Sequence, residues 1–219
     1  MADEVQAITP QKEDINTPNK KKFGWGDVFK CALILVAIAV VAGGLLGVVN
    51  WLTYVDPDAA IMDKVAGVYD VDSSNITKAN DMIIDLGTTS SVLAVYKASD
   101  ADGKDVGYCY YTSGAKAKDG TIELLVYIQA DGLIKDIEVY EQGETAGYFS
   151  KVEKANKSKY ININVNEIQG FAMKGSKSEF KDGDAVVDAV SNATYTSSGY
   201  HNAIAVAVNA YKAYVGGAK

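Results

Sequence analysis

The longest uncharged stretch of the chain constrains its fold more than any other feature. From Cys31 to Val55 the sequence contains no Asp, Glu, Lys, Arg or His, a run of 25 residues dominated by small and aliphatic side chains. About 20 apolar residues are enough for a helix to cross the hydrocarbon core of a bilayer. A helix in the core of a globular protein rarely reaches this length without a charge. We therefore predict one transmembrane helix over residues 28–55.

The charges on either side of this stretch predict how it crosses the membrane. Lysines occupy positions 20–22 and 30 before the run, whereas three aspartates stand between residues 56 and 63 after it. Lysine-rich flanks tend to stay in the cytoplasm. The sequence thus predicts a single-pass protein of the cell membrane. Its polar tail, residues 1–27, is expected in the cytoplasm, and residues 56–219 are expected outside it.

Charge and cysteine content argue against two classes of protein. The net charge is -7, and all 21 basic residues are lysine. Nucleic-acid binding is disfavoured, because arginine makes most bidentate contacts with bases and phosphates. Cys31 and Cys109 are predicted on opposite sides of the membrane, so an intrachain disulfide is not expected. Neither cysteine has the spacing of a metal-binding motif, and we expect no metal site formed by this chain alone.

The region from 56 to 105 is predicted to be a helical or linker part of the outer domain. Residues 62–69 favour a short helix. The spacing of Ile76, Ala79, Met82 and Ile83 after two serines indicates a second one. The acidic, glycine-containing segment 99–105 is typical of a turn.

Strand patterns dominate the next part of the chain. The sequence predicts strands over 93–96, 106–111, 121–128 and 133–140, with turn signals at Lys118–Gly120 and Asp131–Gly132. A helix is predicted within 151–160. Together these patterns predict an α+β domain with an antiparallel sheet and flanking helices, whose main part spans residues 106–215.

A second informative stretch begins at Asp188 and reads DAVSNATYTSSG. The uncharged run from Tyr200 to Tyr211 has helical spacing, so we predict a hydroxyl-rich loop that opens into a helix over about 196–214. The hydroxyl groups could cap that helix, which is the simpler interpretation. A helix N-terminus also favours a bound phosphate, which is the alternative.

The segment Asp188–Thr194 resembles a known motif. Asp-x-x-Ser-Asn-Ala-Thr is similar to the flavinylation motif Asp-x-x-(Ser/Thr)-Gly-Ala-(Thr/Ser) of the FMN-binding domain family, with Asn192 in place of the usual glycine. The resemblance implies that a flavin transferase attaches FMN to Thr194 through a phosphoester bond. It further implies recognition or orientation roles for Asp188 and Ser191. The FMN would contact Ser191, Asn192 and Ala193, and the hydroxyls of Thr196 and Ser197 would hold the phosphate.

A loop after the predicted hairpin resembles a second segment of the same family. Glu144, Thr145 and Gly147 match the family's Glu-Thr-Pro-Gly-Leu-Gly sequence, which lies near the flavin, whereas Ala146, Tyr148 and Phe149 depart from it. The resemblance adds Glu144, Thr145, Gly147 and Tyr148 to the expected FMN contacts. An aromatic side chain here could pack against the flavin ring.

The whole arrangement resembles the G subunits of Rnf-type electron-transport complexes and the related C subunits of the sodium-pumping NADH:quinone reductases. The resemblance implies a covalent-FMN electron carrier that works with other membrane subunits. In such complexes electron transfer between ferredoxin and NAD is coupled to ion translocation. We expect no independent catalytic activity and no catalytic residues in this chain, which would act as one subunit of a translocating oxidoreductase.

Two alternatives remain open from the sequence. The chain could be a stand-alone, membrane-anchored flavoprotein outside the cytoplasm. It could instead be a non-redox binding domain, in which Asn192–Thr194 is only a glycosylation sequon or a helix cap.

Overall fold

The computed structural model describes residues 24–54, 56–83, 88–175 and 180–216, apart from the side chains of Asp27 and Gly216. The tail 1–22 with its lysine cluster, and Val55 and Gly217, lie outside the described residues. The chain divides into two compact units, residues 1–54 and residues 55–219.

The first unit consists of helix α1, Trp25–Thr53. At 1.5 Å per residue a helix of 29 residues is about 44 Å long. Its apolar side chains are exposed all round, for example Leu33 at 72% and Leu46 at 71%. Within the described residues, α1 is the one helix long and apolar enough to cross a membrane. It begins six residues before the uncharged run, because Trp25–Lys30 continue the same helix.

Helix α2, Pro57–Tyr69, opens the second unit. Its start follows from local chemistry. The Asp56 side chain caps the first turn by accepting a hydrogen bond from Asp58 N–H, and Pro57 occupies the first helical position. The helix ends at Asp70, whose φ of 57° is left-handed. The predicted short helix is thus confirmed and starts earlier than expected.

A five-stranded antiparallel meander follows, with the strands side by side in chain order. The strands are β1 Ile76–Lys78, β2 Ser91–Ser99, β3 Asp105–Gly114, β4 Ile122–Gln129 and β5 Ile134–Gln142. Gly132 has a φ of 96° in the β4–β5 turn, a backbone conformation that glycine adopts without a steric penalty. The four strands predicted from the sequence are therefore present; β2, β3 and β5 are longer than predicted, and β4 has the predicted length shifted by one residue.

The second helix predicted over residues 76–83 is wrong. Residues 76–78 form β1, which pairs with β2 through Ile76 and Ala98, and a short 3-10 turn covers Asn80–Met82. Spacing of three or four residues suits a helix, but pairing with the sheet edge and the β-branched Ile76–Thr77 favour a strand here. The sequence suggested that a linker region ends and the main domain begins at residue 105. Strands β1 and β2 precede this residue and belong to the same sheet as β3, β4 and β5.

The remaining elements complete the α+β fold predicted from the sequence. They are helix α3 Ala146–Tyr160, the parallel strand pair β6 Phe171–Lys174 and β7 Ala185–Asp188, and helix α4 Thr194–Tyr211. A single π-helical turn, Lys212–Gly216, follows α4, so the α-helix starts and ends before the predicted 196–214.

The sheet buries both of its faces. One face packs against α4 and α3 in a cluster that includes Tyr110, Val126 and Ile204. The other packs against α2 in a cluster that includes Tyr69, Tyr96 and Tyr127. Burial also raises the pKa of the Cys109 thiol on this second face, so the thiol stays protonated and unreactive.

His201 predicts a pH dependence of stability. It lies buried in α4, where Tyr160 Oη is 2.9 Å from its Nδ1, and burial lowers its pKa from 6.5 to about 4. As the pH falls from 6.5 towards 4, His201 therefore becomes protonated in the unfolded chain while it stays neutral in the folded chain. We expect the free energy of unfolding to fall by about 2 kcal/mol between pH 6.5 and pH 5 from this group alone.

Urea unfolding of the full chain in detergent, followed by tyrosine circular dichroism, measures this effect. Both tryptophans lie in α1, so the near-ultraviolet tyrosine signal reports mainly the second unit. In His201→Gln the part of the decrease in unfolding free energy that His201 causes between pH 6.5 and pH 5 should disappear, whatever the variant's stability at neutral pH. An equal loss in both proteins would contradict the assignment to His201.

Candidate functional site

The motif segment connects strand β7 to helix α4 through a tight turn. Ala189 N–H donates to Lys174 O at the end of the parallel pair, and Ala193 N–H donates to Val190 O at 2.9 Å. Asn192 has a φ of 64°, in the left-handed region. Asn adopts this conformation more readily than most residues, which explains how it replaces a glycine at this position.

The hydroxyl groups do not cap α4 in the way the sequence suggested. Ala193 is the N-cap residue and forms no capping bond, and among the described residues no side chain accepts a hydrogen bond from the N–H groups of the first turn. The fully buried Ser197 accepts a hydrogen bond from Val190 N–H at 3.0 Å and so fastens the turn to the helix. The first turn of α4 thus keeps its unpaired N–H groups.

Thr194 is the first residue of α4 and its side chain is exposed. Its carbonyl oxygen accepts a hydrogen bond from Ser198 Oγ, which leaves the side chain uninvolved. Among the described residues, none forms a hydrogen bond with the Thr194 hydroxyl. This hydroxyl is therefore available for chemistry, whereas those of Thr196 and Ser197 are engaged.

Glu144 joins three separate segments at the site. It is only 6% exposed, and one carboxylate oxygen accepts a hydrogen bond from Asp119 N–H at 2.6 Å. The other oxygen accepts a short hydrogen bond from the hydroxyl of Thr196 in α4. Glu144 itself lies just before α3, so it ties the β3–β4 connection and the start of α3 to the first turn of α4. Charge-assisted hydrogen bonds of this kind are the stronger class.

Two glycines let α4 approach the sheet closely. A Cβ atom at Gly114, the last residue of β3, would lie 2.0 Å from Gly199 O and 2.6 Å from Ala203 N. A Cβ atom at Gly199 would lie 2.6 Å from that of Ala117. No side chain fits in either place, so the first turns of α4 rest directly on the end of β3 and the connection that follows it.

These contacts produce a pocket of about 210 Å³, the Thr194 pocket. Its lining combines a hydroxyl, aromatic rings and one cation, and consists of Lys118, Tyr148, Asn192, Ala193, Thr194, Tyr195 and Thr196. Tyr148 and Tyr195 are 39% and 69% exposed. An exposed hydroxyl, a positive charge and aromatic surface suit a phosphorylated aromatic cofactor. The residues present therefore fit FMN.

The structure brings together about half of the residues suggested from the sequence. Asn192, Ala193, Thr194, Thr196 and Tyr148 line the pocket, and Glu144 lies directly behind it. The other predicted residues do not line it, namely Ser191, Ser197, Thr145, Gly147 and Asp188.

Some of these outer residues have an evident local role. Thr145 is the N-cap position of α3, although its side chain forms no capping bond. Ala146–Tyr148, predicted within a loop, form the first turn of that helix. A Cβ atom at Gly147 would meet nothing within 4 Å, so packing inside the protein does not explain a glycine there.

Sequence reasoning missed two residues of the pocket, Lys118 and Tyr195. Lys118 belongs to the Lys118–Gly120 segment, which predicted a turn and nothing more. Its Nζ lies 5.9 Å from the centre of the Tyr148 ring, and the Nζ of Lys151 lies at the same distance. Only the long-range packing of α4 on β3 makes Lys118 a neighbour of Thr194, so no local signal could have identified it.

A second cavity of about 260 Å³ lies beside β1. Its charged groups are already paired, since Lys97 bonds to Asp105 at 3.2 Å, Tyr214 donates to Asp81, and Lys78 bonds to Asp58 outside the cavity at 2.7 Å. This cavity shares no residue with the motif segments.

Comparison with known proteins assigns the part of the chain that holds the site. Residues 118–209 match the family model described as the FMN-binding domain. The G subunit of the Na(+)-translocating ferredoxin:NAD(+) oxidoreductase complex of Acetobacterium woodii is 24% identical over 209 residues, which cover 90% of this chain and 98% of that protein. The crystal structure of Shewanella oneidensis NqrC aligns with a TM-score of 0.49 and 22% identity, over 72% of this chain and 95% of that one. The part of the chain that holds the site, residues 118–209, is thus similar to the FMN-binding domain family.

Proposed function

We propose that this protein is a membrane-anchored electron carrier that holds FMN covalently, through a phosphoester bond to Thr194. One observation carries the proposal. The Thr194 hydroxyl is exposed and has no hydrogen-bond partner among the described residues, it lies in a pocket with aromatic and cationic side chains, and it occupies the last position of the segment that resembles the flavinylation motif. The match of residues 118–209 to the FMN-binding domain supports the identity of the cofactor.

The residues around Thr194 divide into two roles. Tyr148 and Tyr195 supply aromatic surface for the flavin ring, and Asn192 with Ala193 shapes the turn that presents Thr194. Glu144 is a positioning residue, because it bonds to Thr196 and to the β3–β4 connection rather than lining the pocket.

Asp188 and Ser191 have a different role, which is recognition by the flavin transferase. Both are exposed, Asp188 as the last residue of β7 and Ser191 in the connection from β7 to α4, so an enzyme can reach both side chains. Neither residue lines the Thr194 pocket, which agrees with contact during maturation rather than with lasting contact to FMN.

When bound, FMN supplies one- and two-electron redox chemistry, which amino-acid side chains lack. The protein positions it, offers it aromatic and charged surroundings, and keeps it from being lost. A covalent tether matters most outside the cytoplasm, where dissociated FMN could not be recovered. On the basis of the flanking lysines and aspartates, we place the N-terminus in the cytoplasm and residues 56–219 outside it.

We further propose that the chain works as one subunit of an Rnf-type complex with other membrane subunits. Its similarity to the G subunit of the A. woodii complex extends over nearly the full length of both chains. In such a complex this chain would relay electrons, and ion translocation coupled to ferredoxin:NAD electron transfer would belong to the assembly. The apolar run 31–55 contains no charged side chain that could carry an ion across the bilayer.

Purification of the tagged chain from the membranes of its own organism, in a mild detergent, tests this proposal. We expect a yellow preparation in which flavin stays on the chain after denaturation and in which several other membrane proteins elute in constant ratio. A flavinylated chain that elutes alone would support the stand-alone carrier instead. A chain without flavin would contradict the electron-carrier role altogether.

A further inference from the structure

We propose that Lys118 is the residue that binds the phosphate group through which FMN is attached to Thr194, an inference that rests on the proposed function. Lys118 and Thr194 line the same pocket, although 75 residues separate them in the chain. The sequence motif suggested the hydroxyls of Thr196 and Ser197 for this role. Both are buried and already hydrogen-bonded, to Glu144 and to Val190 N–H.

The charge of the pocket supports this assignment. A phosphoester that joins flavin to threonine keeps one negative charge. Among the described residues that line the Thr194 pocket, Lys118 alone carries a charge. The carboxylate of Glu144 lies just behind Thr196, so without Lys118 the phosphate would face an acidic neighbour and no opposite charge. An ion pair with the Lys118 ammonium group removes that imbalance.

The backbone around Lys118 is held in place before any cofactor binds. The next residue, Asp119, donates its N–H to Glu144 Oε1 at 2.6 Å. Gly143 lies close to the same residue, since a Cβ atom there would lie 3.4 Å from Asp119 O. Glu144 also bonds to Thr196, two residues after Thr194, so one buried carboxylate fixes the spacing between the Lys118 backbone and the attachment residue.

Lys151 provides a matched comparison within the same chain. Its Nζ lies 5.9 Å from the centre of the Tyr148 ring, as that of Lys118 does. Lys151 belongs to α3 and does not line the Thr194 pocket. The two lysines thus share one aromatic contact and the same charge, and they differ in access to Thr194.

The test uses the full chain in detergent, produced together with a flavin transferase, and Thr194→Ala produced in the same way. Brief acylation of amines followed by mass spectrometry measures how fast each lysine reacts. An ion pair worth about 1 kcal/mol slows acylation of Lys118 about fivefold in the flavinylated chain relative to Thr194→Ala. The rate at Lys151 should be the same in both proteins.

Phosphorus NMR of the flavinylated chain separates an ion pair from simple shielding by the flavin ring. Lys118→Gln should shift the resonance of the phosphoester, and Lys151→Gln should leave it in place. If the intact mass shows FMN on the chain but Lys118 reacts equally fast with and without it, the assignment fails while the proposed function stands. An unshifted resonance in Lys118→Gln has the same meaning. A chain that carries no FMN overturns both.

Discussion

Replacement of Thr194 by alanine should remove all covalently bound FMN and leave the fold intact. The reason is chemical, because alanine offers no oxygen for a phosphoester and the neighbouring hydroxyls of Thr196 and Ser197 are buried and engaged. The side chain of Thr194 is exposed and unbonded, so its loss should change the free energy of unfolding by no more than about 0.5 kcal/mol. In-gel flavin fluorescence of the denatured chain and its intact mass measure the label.

Two further variants make this prediction specific. Thr194→Ser keeps an oxygen at the same place and should retain covalent flavin. Ser198→Ala removes a hydroxyl one helical turn away, which donates to the carbonyl oxygen of Thr194, and should also retain covalent flavin. Covalent flavin that persists in Thr194→Ala would show that another residue is the attachment site.

Gly114→Ala should produce the largest loss of stability that a single methyl group can cause near the site. The added Cβ atom would lie 2.0 Å from Gly199 O and 2.6 Å from Ala203 N, and both are backbone atoms that cannot rotate away. The helix must therefore move off the end of β3. Overpacking usually costs 1–3 kcal/mol, and a backbone clash belongs at the upper end, so we expect about 3 kcal/mol.

The same variant should also lose flavin. Displacement of α4 separates Thr196 from Glu144 and Thr194 from Lys118, so the yield of covalent FMN should fall together with the midpoint of urea unfolding. Gly67→Ala is the matched control. Gly67 lies in α2, where a Cβ atom meets nothing within 4 Å, and the change should stabilise the helix by about 0.5–1 kcal/mol. Equal stability of Gly114→Ala and the unaltered chain would contradict the close approach of α4.

Much of this fold follows from local patterns in the sequence. The uncharged run from Cys31 specifies α1, and alternating side chains with turn signals such as Asp131–Gly132 specify the meander. Strand β1 could not be predicted in this way. Its three residues are strand only because β2 lies beside them, and their spacing taken alone favours a helix.

The residues of the site also differ in whether local sequence or long-range contacts identify them. The resemblance of Asp188–Thr194 to the flavinylation motif is enough to propose Thr194 as the attachment residue, because that motif is read from neighbouring residues alone. The nearness of Lys118 to Thr194 and the Glu144–Thr196 bond depend on contacts between residues 76 and 52 positions apart in the chain. These contacts form only when α4 packs against Gly114 and Gly199. Conversely, the position of Ser197 near the motif suggested that it binds phosphate, whereas in the structure its hydroxyl accepts a hydrogen bond from Val190 N–H in the β7–α4 turn.

The most direct test of covalent attachment at Thr194 is the mass of one peptide. The chain is produced with a flavin transferase, digested, and the peptide that contains Thr194 is isolated by its flavin absorbance. Our account predicts that this peptide is heavier than its sequence by one FMN joined with loss of water, and that fragmentation places the added mass on Thr194. An unmodified Thr194 peptide, in cells where the same transferase modifies another substrate, would contradict it.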